Sequence, residues 1–185
     1  MRRWFLIALF LALPAIWTLL PAQEPVRARP EPRTVFVLRH AEKDPQGDGR
    51  DPRLAEKGQA RARSLARLLE HARPEHLFAS EYQRTQLTLQ PLADKLGRKL
   101  EALPAKATAE LAQRLRALPA GSVSVVAGHS NTVPGLIQAL GGRVERLQQG
   151  QLGEDEFDRL FVLTLPPPGL EDALGVGVVE LAYGD

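Results

Sequence analysis

The sequence predicts an α/β domain of three layers, a mostly parallel central sheet with helices on both faces. Two observations carry that expectation. From Thr34 onward, short runs of β-branched and large apolar residues alternate with longer stretches whose apolar positions recur at helical spacing. Two of the strand-like runs, "TVFVL" (34–38) and "SVSVVA" (122–127), have the apolar, β-prone character of strands covered on both sides. A chain of 185 residues, 44% hydrophobic and 25% charged, has the material for one such core.

Residues 34–38 read as the first strand. Residues 55–71 read as a helix, with Ala62, Leu65, Ala66, Leu68 and Leu69 on its apolar face and Arg61, Arg63 and Arg67 toward solvent. Residues 77–79 form a short strand feeding a helix that Ser80 and Gln83 open with the spacing of a capping box. That helix runs to Leu96, with Pro91 as its candidate kink. A short strand over 100–103 and a helix over 107–118 follow, then the strand 122–127. The helix 131–140 tolerates Pro134 in its first turn. Strands over 160–165 and 176–182 flank the turn-rich "PPPGLED".

Ahead of this domain, assigned to 34–185, lie two other segments. Arg2 and Arg3 precede an apolar stretch over 4–20, and "LPAQ" offers a cleavage point after Ala22. Residues 1–22 are therefore expected to direct export to the periplasm or medium, either as a cut signal peptide or as an uncut N-terminal membrane anchor. Residues 23–33, "QEPVRARPEPR", hold three prolines and read as an extended linker.

Charge and cysteine content narrow the function. The net charge of +2 comes wholly from Arg2 and Arg3, so no broad basic face for nucleic acid is implied. With no cysteine, disulfides, thiolate zinc sites and cysteine nucleophiles are excluded. "DPQGDGRD" (44–51) has the wrong acidic spacing for a calcium loop and reads as a flexible connection.

In a parallel sheet, ligands bind at the carboxyl ends of the strands. Arg39 and His40 end one strand, Ser80 and Arg84 follow another, and His129 follows a third. Arginine offers a planar, permanently charged fork that matches phosphate oxygens, and helix N-termini add free N–H groups. A neutral histidine can attack phosphorus, while a second, protonated one stabilises charge on the equatorial oxygens. This chemistry calls for no metal and no other cofactor. Taken singly, each histidine is more simply a structural hydrogen bonder; His71 and His76 read as surface residues.

Four segments in order, "LRHAEK", "LAEKGQARARSLARLL", "FASEYQRTQLTLQPLA" and "VVAGHSNTV", resemble the signatures of the histidine phosphatase superfamily, branch 1, with its phosphoglycerate mutase-like fold. The resemblance implies that His40 is the phosphorylated nucleophile and that Arg39 and Arg84 bind the phosphate. It implies that His129 hydrogen-bonds the phosphoryl oxygens, and that Thr88 completes the Ser-x-x-x-Arg-x-x-x-Thr pattern. Ala41 stands where the family commonly has glycine. Where the mutase branch carries a general-acid glutamate, this chain has Ala105, so the proton donor is unassigned among Asp44, Glu81 and Glu101.

The leading expectation is a metal-independent phosphatase acting on a phosphorylated small molecule or sugar phosphate. The alternative from another class is a non-catalytic phosphate-binding or regulatory module of the same fold. A phosphohistidine phosphatase and a mutase are further readings; the short chain and the export signal weigh against the mutase, and the export signal weighs against the phosphohistidine phosphatase.

Overall fold

In a computed structural model, the described residues are 31–47, 49–171 and 173–184. Residues 1–22, expected to direct export, and most of the expected linker 23–33 lie outside them. Strand β1 (Arg33–Arg39) is followed by α1 (Glu56–Leu69), β2 (His76–Ser80), α2 (Gln83–Leu96) and β3 (Leu100–Leu103). Then come α3 (Thr108–Ala117), β4 (Val123–Gly128), α4 (Thr132–Ala139), β5 (Arg159–Leu165) and β6 (Gly177–Ala182). The six strands form one sheet in the order β3-β2-β4-β1-β5-β6. The pairs β3-β2, β2-β4 and β4-β1 are parallel, and β5 is antiparallel to both its neighbours.

Alternation of side chains along each strand divides the core into two layers. On one face, Val35, Val37, Val126 and Leu163 pack with Leu115 of α3 and Leu136 and Ile137 of α4. On the other, Leu38, Leu77, Val125 and Leu160 pack with Leu65 and Leu69 of α1 and Leu89 and Leu92 of α2. Each fully buried leucine contributes about 1.5–3 kcal/mol, so the sheet is a rigid base for what its ends carry.

The structure departs from the sequence expectations at definite points. Strand β1 begins at Arg33, whose buried guanidinium donates to the Pro166 carbonyl at 2.8 Å. Arg61, expected on the wet face of α1, is buried because Glu42 grips it through Nε and Nη2 at 2.8–3.1 Å and the Tyr183 carbonyl takes Nη1 at 2.8 Å. A distant carboxylate cannot be read from helical periodicity. No capping box opens α2: its N-cap is Tyr82, and the Asp51 carboxylate accepts the Gln83 N–H at 2.9 Å. The helix continues through Pro91.

Candidate active site

The register of the parallel strands brings the site together. Arg39 pairs with Gly128 across β1 and β4, and the His40 N–H continues the ladder to the Gly128 carbonyl at 2.9 Å. His40 and His129 therefore leave adjacent strand ends side by side, with ring centroids 5.4 Å apart. A Cβ on Gly128 would meet Thr132 Oγ1 at 2.8 Å, and that oxygen accepts the His129 N–H at 2.8 Å. Glycine there lets α4 begin close against the strand end.

Arg39, His40, Glu81, Arg84 and His129 line one open cleft of about 1520 Å³. All four sequence-predicted site residues thus meet at the carboxyl edge of the sheet. Asp44 and Glu101 do not join them. Asp44 faces a separate groove beside Leu54 and Gln90, and Glu101, on β3, pairs with Arg114 of α3.

Hydrogen bonding determines which nitrogen of each histidine is available. His40 Nδ1 lies 2.7 Å from the Ala41 carbonyl, which can only accept, so Nδ1 carries the hydrogen and the lone pair is on Nε2. Burial, reinforced by Arg39, His129 and Arg84, lowers the His40 pKa to about 3. The imidazole is neutral at physiological pH, with Nε2 as a nucleophilic lone pair.

The same accounting applies to His129. Thr85 Oγ1 donates to the Tyr82 carbonyl at 2.7 Å, so the Ser80 hydroxyl, 2.8 Å away, donates to Thr85. Ser80 Oγ then accepts from His129 Nε2–H at 2.9 Å. His129 Nδ1 is left as an acceptor, 3.5 Å from Arg84 Nη2. Burial and the neighbouring Arg84 lower the His129 pKa to about 4, with Glu81 opposing and Arg39 adding to the effect. His129 is therefore neutral in the empty cleft; an anion beside it favours a proton on Nδ1 and turns that nitrogen into a donor.

The two arginines are held by residues that the sequence reading missed. Arg39 Nη1 donates to the carbonyls of Gly153 and Glu154 at 2.7 and 2.8 Å, and its guanidinium carbon sits 4.2 Å above the Phe157 ring. Its buried Nε finds no acceptor among the described residues. Arg84 stacks on Tyr82 at 4.4 Å and lies 3.7 Å from Asp51, so the loop read as a flexible connection steadies both Arg84 and the start of α2. Residues 153–157 are more than 110 positions from Arg39 and carried no signal that could have linked them.

Thr88 acts one step back from the cleft. Its Oγ1 accepts the Ala41 N–H at 2.9 Å and donates to the Arg84 carbonyl at 2.7 Å, tying the peptide after His40 to α2. Gly58 fixes the same loop from α1, since a Cβ there would collide with the Glu42 carbonyl oxygen. Among the described residues, no three His, Cys, Asp or Glu side chains gather as a metal site.

Comparisons with known proteins bear on the fold and on the motifs of its first half. A family model described as "Histidine phosphatase superfamily (branch 1)" matches residues 35–114. No curated relative matches the chain. Similar solved structures include the protein histidine phosphatase SixA complexed with tungstate, with TM-score 0.62 and 19% identity over 80% of this chain and 96% of that one. Another is a mycobacterial glucosyl-3-phosphoglycerate phosphatase, with TM-score 0.60 and 15% identity over 83% and 99% of the two chains. A third is YhfR of Bacillus stearothermophilus, with TM-score 0.58 and 12% identity over 72% and 92%. At these identities the likeness is one of fold. The four motifs and the family match over residues 35–114 make the chain similar to the histidine phosphatase superfamily, branch 1, and its architecture is the phosphoglycerate mutase-like fold.

Proposed function

We propose that this protein is a metal-independent phosphatase that hydrolyses a phosphorylated small molecule through a phosphohistidine on His40. The observation that carries the reading is a neutral His40 whose Nδ1–H is committed to Ala41, leaving Nε2 free in a cleft that also holds Arg39, Arg84 and His129. In this reading the two arginines bind the phosphate and neutralise it. His40 Nε2 attacks phosphorus in line with the departing ester oxygen, and His129, protonated once the anion is bound, donates to an equatorial oxygen. Water then attacks the phosphohistidine, releasing phosphate and returning the lone pair to Nε2. Arg2, Arg3 and the apolar stretch 4–20 support action outside the cytoplasm, with the domain free or tethered to the membrane.

Rapid-quench trapping with a ³²P-labelled phosphomonoester tests this directly. An acid-labile, base-stable adduct on the wild-type chain, absent from His40→Ala, is the expected result. Phosphate binding without adduct or turnover across a broad panel of phosphomonoesters would instead assign the fold a non-catalytic binding role. A second reading, hydrolysis of phosphohistidine itself, is supported by Ala105, which supplies no acid, and by the fold likeness to SixA. An N–P leaving group departs with less protonic help than an alkoxide, so a strong preference for phosphoramidate over alkyl phosphate would favour it.

A further inference from the structure

Release of an alcohol from a phosphate ester needs a proton at the bridging oxygen, and the four residues of the cleft described above do not provide one. The arginines stay charged. His40 spends its Nδ1–H on Ala41, and His129 spends its Nε2–H on Ser80 and, once protonated, its Nδ1–H on an equatorial oxygen. A carboxyl group must do the work, and four carboxylates border the cleft: Glu42, Glu81, Glu154 and Asp155. Glu42 is committed to Arg61 through both oxygens. Glu154 and Asp155 belong to the turn that holds Arg39 through the Gly153 and Glu154 carbonyls, and both raise the Arg39 pKa by proximity.

Glu81 differs from these. It directly follows Ser80, the partner of His129, and its charge acts on His129. Its Oε2 accepts the Ala105 N–H at 2.6 Å, which fixes the carboxylate on the cleft wall formed with Lys106 and Thr108. Its Oε1 has no hydrogen-bond partner among the described residues. One oxygen is anchored and the other is available, as a group that passes a proton back and forth requires.

We infer that Glu81 is the proton-transfer residue of this site. The assignment rests on the phosphohistidine mechanism proposed above. In the first step the His40 Nε2–P bond forms and the P–O ester bond breaks; the electron pair stays on the leaving oxygen, which takes the proton of the Glu81 carboxyl group. In the second, the Glu81 carboxylate takes a proton from water as that oxygen bonds to phosphorus and the His40–P bond breaks. The carboxyl group is restored, and the net change is ester plus water to alcohol plus phosphate.

The test is Glu81→Gln on the full chain, since an amide oxygen can still accept from Ala105 N–H. Phosphate esters with leaving groups graded from 4-nitrophenol to a primary alcohol serve as substrates, read by kcat/KM and by rapid-quench phosphoenzyme. The expected loss is about 10²- to 10⁴-fold for the alkyl ester and under about 10-fold for phosphorylation by 4-nitrophenyl phosphate, so the leaving-group dependence steepens. Slower hydrolysis of the adduct should also produce a burst of 4-nitrophenol. A uniform loss across the series would make Glu81 a positioning residue and overturn the assignment, as would no loss. So would transfer of the leaving-group effect to Glu154→Gln or Asp155→Asn. If the wild-type chain forms no His40 adduct, the phosphatase reading falls and this assignment with it; an adduct with unchanged leaving-group dependence in the variant removes this assignment alone.

Discussion

Thr88→Val removes one oxygen from the interior and leaves the shape nearly unchanged. Thr88 and Ala41 are completely buried, and the Thr88 hydroxyl is the acceptor for the Ala41 N–H at 2.9 Å. In the variant that N–H has neither water nor protein to bond. A buried donor left without a partner costs about 1–3 kcal/mol. For a domain of this size each kcal/mol lowers Tm by about 2–4 °C, so the expected drop is roughly 2–12 °C. Urea unfolding followed by circular dichroism should show a lower midpoint at unchanged slope. Thr88→Ser, which keeps the hydroxyl and loses only a methyl, separates the hydrogen bond from packing and should recover most of the loss. Because the freed peptide follows His40 directly, phosphoenzyme formation by Thr88→Val should also slow at temperatures where the fold is intact. Equal stability of Thr88→Val and wild type within about 0.5 kcal/mol would show that this bond does not hold the loop after His40.

Other expectations concern charge. The pKa of His40 is lowered to about 3 in the folded chain against about 6.5 when exposed, so the unfolded chain binds the extra proton first. Its contribution to stability is fully present above pH 6.5 and is lost as pH falls toward 3; a urea-midpoint profile should show this slope, shallower in His40→Gln. The same neutrality means that kcat/KM, corrected for substrate ionisation, should not fall near pH 6.5 on account of His40. Tungstate binding at pH 7 should take up a proton, because the anion raises the pKa of His129 from about 4. Calorimetry in buffers of different ionisation enthalpy should show the uptake, and His129→Ala should abolish it. Arg84→Lys keeps the charge but loses the fork and the stack on Tyr82, so inhibition by inorganic phosphate should weaken by about 10- to 100-fold. A chelator should leave turnover unchanged, since the proposed mechanism uses only side chains of the chain itself.

The two kinds of information divide along a physical line. The sequence by itself determined the alternation of strands and helices, because apolar periodicity is local, and it located Arg39, His40 and His129 at strand ends and Arg84 early in the helix after a strand, all within recognisable motifs. It could not show that Arg61 is buried, that Asp51 caps α2 or that residues 153–157 hold Arg39, since each depends on a partner distant in the chain. Nor could it choose among carboxylates. Asp44, Glu81 and Glu101 are equivalent as letters, and only the packing of β3 against β2 carries Glu101 out to Arg114 while Glu81 meets the Ala105 N–H at the cleft. Protonation was likewise decided by tertiary structure alone. Which histidine nitrogen keeps its lone pair follows from one carbonyl at Ala41 and one hydroxyl at Ser80, and burial of both rings makes them neutral.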